Sequence, residues 1–256
     1  MQFSFNFADP CFQKRELSSL SLKNSQFLLN DLSSEDENLF LIANALAAKD
    51  GYTEGHAQRV AIYSERLARK VNLPENDIRN IGIGGMVHDI GKIGFSDQIF
   101  SNKNVRLSEG MIEEIRRHPA IGVSILTNLN FPNDVLGYVF CHHEHFDGSG
   151  YPSGLKAEEI PFGARIISIA DCFDAITTDR PYQKRKSYEK AVSILEHISG
   201  TYLCPELVDI FLDEIEENGM LLNYHGFVKH PQGRYLSIIK DLIPLQTTSP
   251  AVSIAS

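Results

Sequence analysis

The sequence has no apolar run of the ~18 residues that a membrane-spanning helix needs. Its first residues show no basic segment followed by an apolar stretch, so we expect no secretory signal. The four cysteines are scattered and form no C-x-x-C pair. This distribution argues against a disulfide framework or a zinc knuckle, and it predicts reduced thiols in the cytoplasm.

Positive charge is also scarce, because 24 Lys and Arg residues stand against 33 Asp and Glu, for a net charge of −9. This balance disfavours binding to long nucleic acids, which depends on neutralising many phosphates. It does not exclude a small phosphorylated ligand, since local charge decides that binding. One local cluster is basic, although taken alone it is typical of a solvated surface: Arg180, Lys184, Arg185 and Lys186.

Alternating strand patterns are absent as well, and apolar residues recur at helical spacing from Ser34 onward. We predict helices from Ser34, from about Thr53, from Pro74 to the Ile90-Gly91 break, and over about 108–117, 119–128, 132–145, 164–178, 187–199 and 205–218. The longest interruption, 146–163, is too dense in Gly and Pro for a regular element. The predicted fold is all-α, with an arm or short appended element (1–33), one compact domain (34–220) and a tail (221–256).

Cysteine ligands are missing whereas histidine is abundant, and most of the nine histidines lie at predicted helix ends or beside carboxylates. Imidazole and carboxylate together suit Mn, Fe, Zn, Co or Ni, and the lack of cysteine ligands argues against a structural zinc site. Neighbouring helical residues point about 100° apart, so a doublet such as His88-Asp89 can flank one spot. The whole set is too large for one ion and suits two ions that share a carboxylate.

Each histidine also has a simpler interpretation. A single histidine is more often a surface or core residue than a metal ligand, and an isolated His-Asp dipeptide is common. We interpret His145, His197, His225 and His230 as structural for this reason. Only the order and context of the remaining histidines favour a metal site.

Seven segments in a fixed order resemble the HD-GYP family of the HD metal-dependent phosphohydrolase superfamily. They are G-H-x-x-R-V (55–60), H-D-I-G-K-I-G (88–94), H-P-A-I-G (118–122), H-H-E-x-x-D-G-S-G-Y-P (142–152), I-P-F-G-A-R-I (160–166), A-D-x-F-D-A-x-T (170–177) and D-R-P-Y (179–182). The resemblance covers about residues 40–215. It implies a helical bundle of the HD-domain type with extra helices, and a phosphodiesterase that hydrolyses cyclic di-GMP to pGpG, with further cleavage to GMP left open.

The family pattern transfers to individual positions. The resemblance implies two divalent metal ions, Fe or Mn first and Ni, Co or Zn as alternatives, with a hydroxide bridging them as nucleophile. Asp89 is expected to bridge the ions, Lys92 to act at the substrate phosphate or the attacking water, and Tyr151, Arg180 and Lys184 to bind the dinucleotide. Glu144 is either an acid–base group or a support for a ligand histidine, and Asp174 is a support. The implied metal ligands are His56, His88, Asp89, His118, His142, His143 and Asp171.

Three positions depart from the family pattern. Tyr52 stands where some members have a glutamate that helps to hold a third metal, so we predict two. Gln183 replaces a basic residue after R-P-Y, which weakens one phosphate contact unless Lys184 or Arg185 substitutes for it. Cys204 replaces an aspartate that we interpret as a helix cap.

Two other functions stay open at this point. The chain could hydrolyse another cyclic dinucleotide or nucleotide, or it could bind cyclic di-GMP and dock a diguanylate cyclase (GGDEF) domain through the Gly-Tyr-Pro loop with little catalysis. The glycines at 147–154 fit a substrate lid, or they serve backbone turns alone. The oligomeric state is left open.

Overall fold

The computed structural model describes residues 51–96, 99, 107–179 and 184–218, and in these residues the chain forms eight α-helices. They are α1 (Gly51–Lys70), α2 (Glu75–Val87), α3 (Glu109–Arg116), α4 (His118–Asn128), α5 (Asn133–Cys141), α6 (Phe162–Thr177), α7 (Tyr188–Ile198) and α8 (Pro205–Asn218). Short 3₁₀ helices cover Ile90–Gly94 and Ala157–Glu159. The prediction of an all-α fold is confirmed.

Most helix boundaries follow local signals in the sequence. The Ser108 hydroxyl caps α3 by accepting a hydrogen bond from Met111 N at 3.3 Å, and the Ser187 hydroxyl caps α7 at Lys190 N at 3.4 Å. The prediction for 132–145 was too long, because α5 ends at Cys141. Residues 1–33, the predicted helix at Ser34 and residues 221–256 lie outside the described residues, so the division into domains stays a prediction.

Helix α6 forms the centre of the main core. Its apolar face, which includes Ile166, Ile169 and Phe173, is fully buried against α1, α2, α7 and α8. The rings of Tyr63, Phe173 and Phe211 meet edge to face, with centroids 5.1–6.1 Å apart. This arrangement is the one that aromatic quadrupoles favour. The cluster fixes α1 and α6, which carry two of the candidate ligands, His56 and Asp171.

A second apolar cluster joins α2, α4 and α5 around Val87, Leu126 and Val139. It brings the 3₁₀ turn after His88 against the start of α4. A Cβ built on Gly91 would lie 1.9 Å from the carbonyl oxygen of His118, so only glycine permits this close approach. Residues 88 and 118 are thereby held side by side.

No helix within the described ranges is both long enough and apolar enough to cross a membrane.

Candidate metal centre

Three of the candidate ligand histidines lie just beyond helix ends and share one hydrogen-bond pattern. The Nδ1–H of His88, His118 and His142 donates to the carbonyl oxygen three residues earlier, on Gly85, Ile115 and Val139, at 2.7 Å in each case. The last carbonyls of a helix lack a partner within the helix, and a histidine in this position can supply one. Because a carbonyl only accepts, the bond fixes the tautomer and leaves Nε2 with a lone pair that faces the site.

His56 is oriented differently, by a side chain rather than by the backbone. Its Nδ1–H donates to Asp174 Oδ2 at 2.7 Å, and Arg59 donates to the same carboxylate from Nε at 2.5 Å and from Nη2 at 3.1 Å. The pKa of Asp174 is lowered, because the hydrogen bonds from His56 and Arg59 outweigh the effect of burial. A carboxylate behind a histidine is the usual arrangement around metal-bound imidazoles.

The seven candidate ligands converge, with Asp89 at the centre. Asp89 Oδ2 lies 3.3 Å from His88 Nε2 and 3.8 Å from His56 Nε2, while Oδ1 lies 3.5 Å from His118 Nε2. Asp171 joins through Oδ1, which lies 3.3 Å from His56 Nε2. Two groups emerge in which every ligand atom lies within 4.8 Å of the others: His56, His88 and Asp89, and Asp89, His118, His142 and His143.

The inward nitrogens fit a cation better than they fit one another. His118 Nε2 and His142 Nε2 are 3.3 Å apart, although the Nδ1–H bonds give both of them lone pairs. His88 Nε2 is buried and has no hydrogen-bond partner. Two facing lone pairs and an unsatisfied buried nitrogen are unfavourable unless a positive charge lies between the donors. The donor set of imidazoles and carboxylates therefore fits divalent metal ions.

Protonation supports the same conclusion. Burial lowers the pKa of His118, holds that of His142 well below its usual range, and lowers that of His143 to about 3, so all three rings are neutral at pH 7. His88 differs: burial lowers its pKa, but the adjacent Asp89 carboxylate raises it to about 9. His88 Nε2 nevertheless makes no hydrogen bond to Asp89 Oδ2, which lies 3.3 Å away, and this geometry suits a cation between the two atoms.

Asp89 is negatively charged despite being almost fully buried. Burial acts to raise its pKa, but Lys92 and His88 oppose this and hold the pKa well below the usual range. Lys92 Nζ donates to Asp89 Oδ2 at 2.5 Å from a side chain that is 38% exposed. The ammonium of Lys92 therefore lies between the carboxylate and solvent.

The Gly-Tyr-Pro loop, residues 146–154, covers one side of the cluster. The Tyr151 ring stacks on the His143 ring at 4.8 Å and 24°, and Tyr151 N–H donates to the carbonyl oxygen of His143 at 3.1 Å. Glu144 is buried, and its carboxylate accepts from Ser153 N at 2.7 Å and Leu155 N at 3.1 Å. The hydrogen bonds of the Glu144 carboxylate thus join it to the backbone at Ser153 and Leu155, rather than to the ring of a ligand histidine.

Other residues singled out in the sequence lie apart from the ligands or beyond the described residues. Arg180 and Gln183 and the side chain of Tyr52 fall outside the described part, and Lys184 is exposed. The Cys204 carbonyl accepts from Val208 N at 3.0 Å at the start of α8, and its thiol donates to Glu206 at 3.3 Å. The His145 ring packs at a tilt against the Tyr202 ring, with centroids 4.2 Å apart, and shares a hydrogen bond with Ser149 at 2.9 Å, whereas His197 is exposed.

Sequence reasoning missed two sets of groups. Arg59 stands in the quoted G-H-x-x-R-V segment, and its place one turn after His56 was the available signal. The backbone carbonyls of Gly85, Ile115 and Val139 gave no signal of their own, because any residue has a carbonyl. Only the points at which the helices end reveal them.

Comparison with known proteins gives a consistent result. The model of the HD domain family matches residues 41–207. A cyclic di-GMP phosphodiesterase of Thermotoga maritima is 37% identical over 203 residues, which are 75% of this chain and 55% of that protein. The 3′3′-cGAMP-specific phosphodiesterase 3 of Vibrio cholerae is 36% identical over 159 residues, which are 62% of this chain and 34% of that protein.

A solved structure shares the fold. The crystal structure of a cyclic GMP-AMP-specific phosphodiesterase of V. cholerae superimposes with a TM-score of 0.56 at 20% identity, covering 72% of this chain and 49% of that one. The chain spans about half of the length of the T. maritima relative. The likeness in sequence and fold is therefore to one part of longer proteins.

Proposed function

The chain belongs to the HD domain family, and from this premise we propose that it is a metal-dependent phosphodiesterase that hydrolyses cyclic di-GMP. The family match covers residues 41–207 and so includes every candidate ligand. The Gly-Tyr-Pro segment and the seven ligand positions are those of HD-GYP members. The T. maritima relative, which bears the name cyclic di-GMP phosphodiesterase, supports the choice of substrate.

The observation that carries the proposal is the position of Asp89. Its carboxylate belongs to both ligand groups, with the His56 and His88 nitrogens on one side and those of His118, His142 and His143 on the other. This arrangement supports a pair of ions that share one carboxylate. When bound, two such ions supply an activated water as nucleophile and neutralise charge on the phosphoryl oxygens.

The reaction consumes one water for each bond that is cut. The water oxygen joins phosphorus, the bond from phosphorus to the ribose 3′-oxygen breaks, and a water proton ends on that oxygen, which gives linear pGpG. A second cleavage gives GMP. Lys92 would place positive charge where negative charge develops on the phosphoryl group, since its partly exposed ammonium can reach a phosphate as well as Asp89.

Direct assay of the purified protein tests the proposal. The protein should be purified without oxygen, loaded with Mn or Fe, and mixed with cyclic di-GMP, with pGpG followed by chromatography. His88→Ala and Asp89→Ala should lose turnover and bound metal together. Asp209→Ala, an exposed residue of α8, is the control and should keep both. Full activity in both site variants would show that the site is wrong.

A second candidate substrate is the mixed dinucleotide 3′3′-cGAMP. The V. cholerae relative that is 36% identical is named for it. A panel of cyclic di-GMP, 3′3′-cGAMP and cyclic di-AMP at equal concentration decides between the two. A catalytically weak binding module is disfavoured, because all seven ligand residues are present and converge.

The proposal includes several finer points. Two metal ions, Fe or Mn, would be held by the seven ligands, and Tyr151, Arg180 and Lys184 would bind the substrate. The protein acts in the cytoplasm, in keeping with scattered cysteines. A GGDEF domain is the proposed partner of the Gly-Tyr-Pro loop, in which Ser149, Pro152 and Gly154 are exposed. Metal analysis of anaerobically purified protein and pull-down with a GGDEF domain test these points.

A further inference from the structure

Arg116 lies beside the candidate metal centre, although no sequence motif pointed to it. It is the last residue of α3, two positions before His118. Its guanidinium carbon lies 5.6 Å from the centroid of the Tyr151 ring, and that ring stacks on His143 at 4.8 Å. The guanidinium is therefore one aromatic ring away from a candidate metal ligand.

The charge of Arg116 remains available for a ligand. Three arginines of α1, namely Arg59, Arg66 and Arg69, form ion pairs with Asp174, Glu214 and Glu75. Arg116 is exposed, and among the described residues no carboxylate lies within ion-pair distance of its guanidinium. Lys92, the other cation at this site, already donates to Asp89. Arg116 is thus a cation at the edge of the site, and within the described ranges no carboxylate pairs with it.

The cation–π contact with Tyr151 gives this cation a defined location. A guanidinium over a tyrosine ring keeps its planar donors free at the edge, where they can bind a phosphate in a bidentate manner. The Tyr151 backbone is itself tied to the carbonyl oxygen of His143. The arginine, the tyrosine ring and the ligand histidine therefore form one connected unit.

We propose that Arg116 binds the phosphate of the cyclic dinucleotide that is not being cleaved. The inference rests on the proposed function, because a cyclic dinucleotide has two phosphodiesters and only one can occupy the metal centre. The other must lie to the side, where a planar cation is the best partner for it. Arg116 would then act in substrate binding and leave the chemical step to the metal-bound groups.

The test compares a substrate with two phosphodiesters to one with a single phosphodiester. Arg116→Met keeps an extended side chain over Tyr151 but removes the charge. It should raise KM for cyclic di-GMP about tenfold, a change of about 1.4 kcal/mol, and leave kcat within about twofold. Turnover of bis(p-nitrophenyl) phosphate and the metal count should match the wild type. Arg116→Lys should fall between the two, because it keeps the charge without the planar fork.

Arg117→Met is the matched control, because it removes the same charge from a neighbour that points about 100° away around the helix. It should leave KM for cyclic di-GMP within about twofold, and an equal rise in both variants would overturn the proposal. The rise in Arg116→Met should shrink with added salt, since an exposed charge is screened.

Each remaining outcome also decides the matter. If Arg116→Met loses turnover of both cyclic di-GMP and bis(p-nitrophenyl) phosphate, or loses bound metal, Arg116 only positions Tyr151 and His143. An unchanged KM for cyclic di-GMP would mean that Arg116 does not contact the substrate. Either result overturns the proposal. A larger loss for cyclic di-GMP than for 3′3′-cGAMP would assign Arg116 to a guanine edge instead. If the wild type hydrolyses neither dinucleotide, the proposed function fails. Equilibrium binding of cyclic di-GMP then judges Arg116 separately, and equal Kd for wild type and Arg116→Met would refute it.

Discussion

The ligand cluster and the Gly-Tyr-Pro loop meet at His143, but they are held in place by different means. Three ligand rings are fixed by helix carbonyls, which are part of the framework that packs the core. The loop is tied at its start by backbone N–H groups of Phe146 and Asp147, which donate to the carbonyl oxygens of Tyr202 and Thr201. Its later part is tied by the Glu144 carboxylate and by the stacking of Tyr151 on His143. The comparison teaches that the arrangement of the ligand rings depends on helix packing, whereas the later part of the loop depends on two side chains, Glu144 and Tyr151, that can be changed separately.

Asp89→Asn should break the ligand side of the comparison most completely. The carboxylate belongs to both ligand groups. Its loss should therefore lower the metal occupancy of both groups, rather than remove a single ion. Turnover of cyclic di-GMP should fall on the order of 10³-fold or more, because metals contribute several kcal/mol to such reactions. Elemental analysis and a turnover assay measure the two effects. A variant that retains two metals per chain contradicts a shared carboxylate.

Asp174→Asn should give a smaller effect of the same kind. Its carboxylate orients His56 and pairs with Arg59, and the loss of such a supporting group usually costs 10- to 100-fold in metal affinity. Competition with a chelator measures the affinity, and Asp209→Asn on the exposed face of α8 is the control. Unchanged affinity with lowered thermal stability would show that Asp174 serves the fold alone.

Local features of this chain could be predicted from the sequence, and non-local ones could not. The caps Ser108 and Ser187 act on the backbone within three residues, so their signal is complete in the sequence. The predicted helix 132–145 ended early, because His142 turns its ring back onto Val139 O and Glu144 reaches across to the loop. Neither contact is visible in apolar spacing.

The candidate site was predictable to a similar degree. The order of the histidine motifs indicated the ligands through family resemblance, and the structure brings those residues together. The stacking of Tyr151 on His143 and the approach of Arg116 depend on how α3 and the loop meet. Such contacts between distant segments follow from packing, which no pattern within one segment can specify.

Glu144→Gln should alter the loop side and leave the ligand side intact. A glutamine has one acceptor oxygen where the carboxylate uses two, so the bond to Ser153 N or to Leu155 N is lost. We expect about a tenfold fall in kcat/KM for cyclic di-GMP, with the metal count unchanged, because one lost hydrogen bond to a charged acceptor costs about 1.5–3 kcal/mol. Amide exchange at Ser153 and Leu155 should become faster.

Glu159→Gln is the control just beyond the loop, because the exposed Glu159 carboxylate accepts a hydrogen bond from the nearby Lys156 N at 3.0 Å. It should change kcat/KM by less than about twofold, as surface substitutions usually do. If Glu144→Gln loses metal as well, the loop and the ligands are one unit and the comparison fails.

Glu65→Gln should have the smallest effect on activity of these substitutions. It tests a buried carboxyl outside the ligand cluster, for comparison with the buried Asp89. Burial raises the pKa of Glu65 from 4.5 to about 8, only partly opposed by Arg69, whereas Lys92 and His88 keep the pKa of Asp89 low. A pKa raised by folding stabilises the native state fully below pH 4.5, and this contribution is lost as the pH rises towards 8. The unfolding free energy of the wild type should therefore fall across this range by up to about 1.4 kcal/mol per pH unit relative to Glu65→Gln. Denaturant titrations at several pH values, in the presence of chelator, measure this unfolding free energy. Glu196→Gln, at an exposed position, is the control. Parallel pH profiles for wild type and Glu65→Gln would mean that Glu65 is ionised in the folded protein.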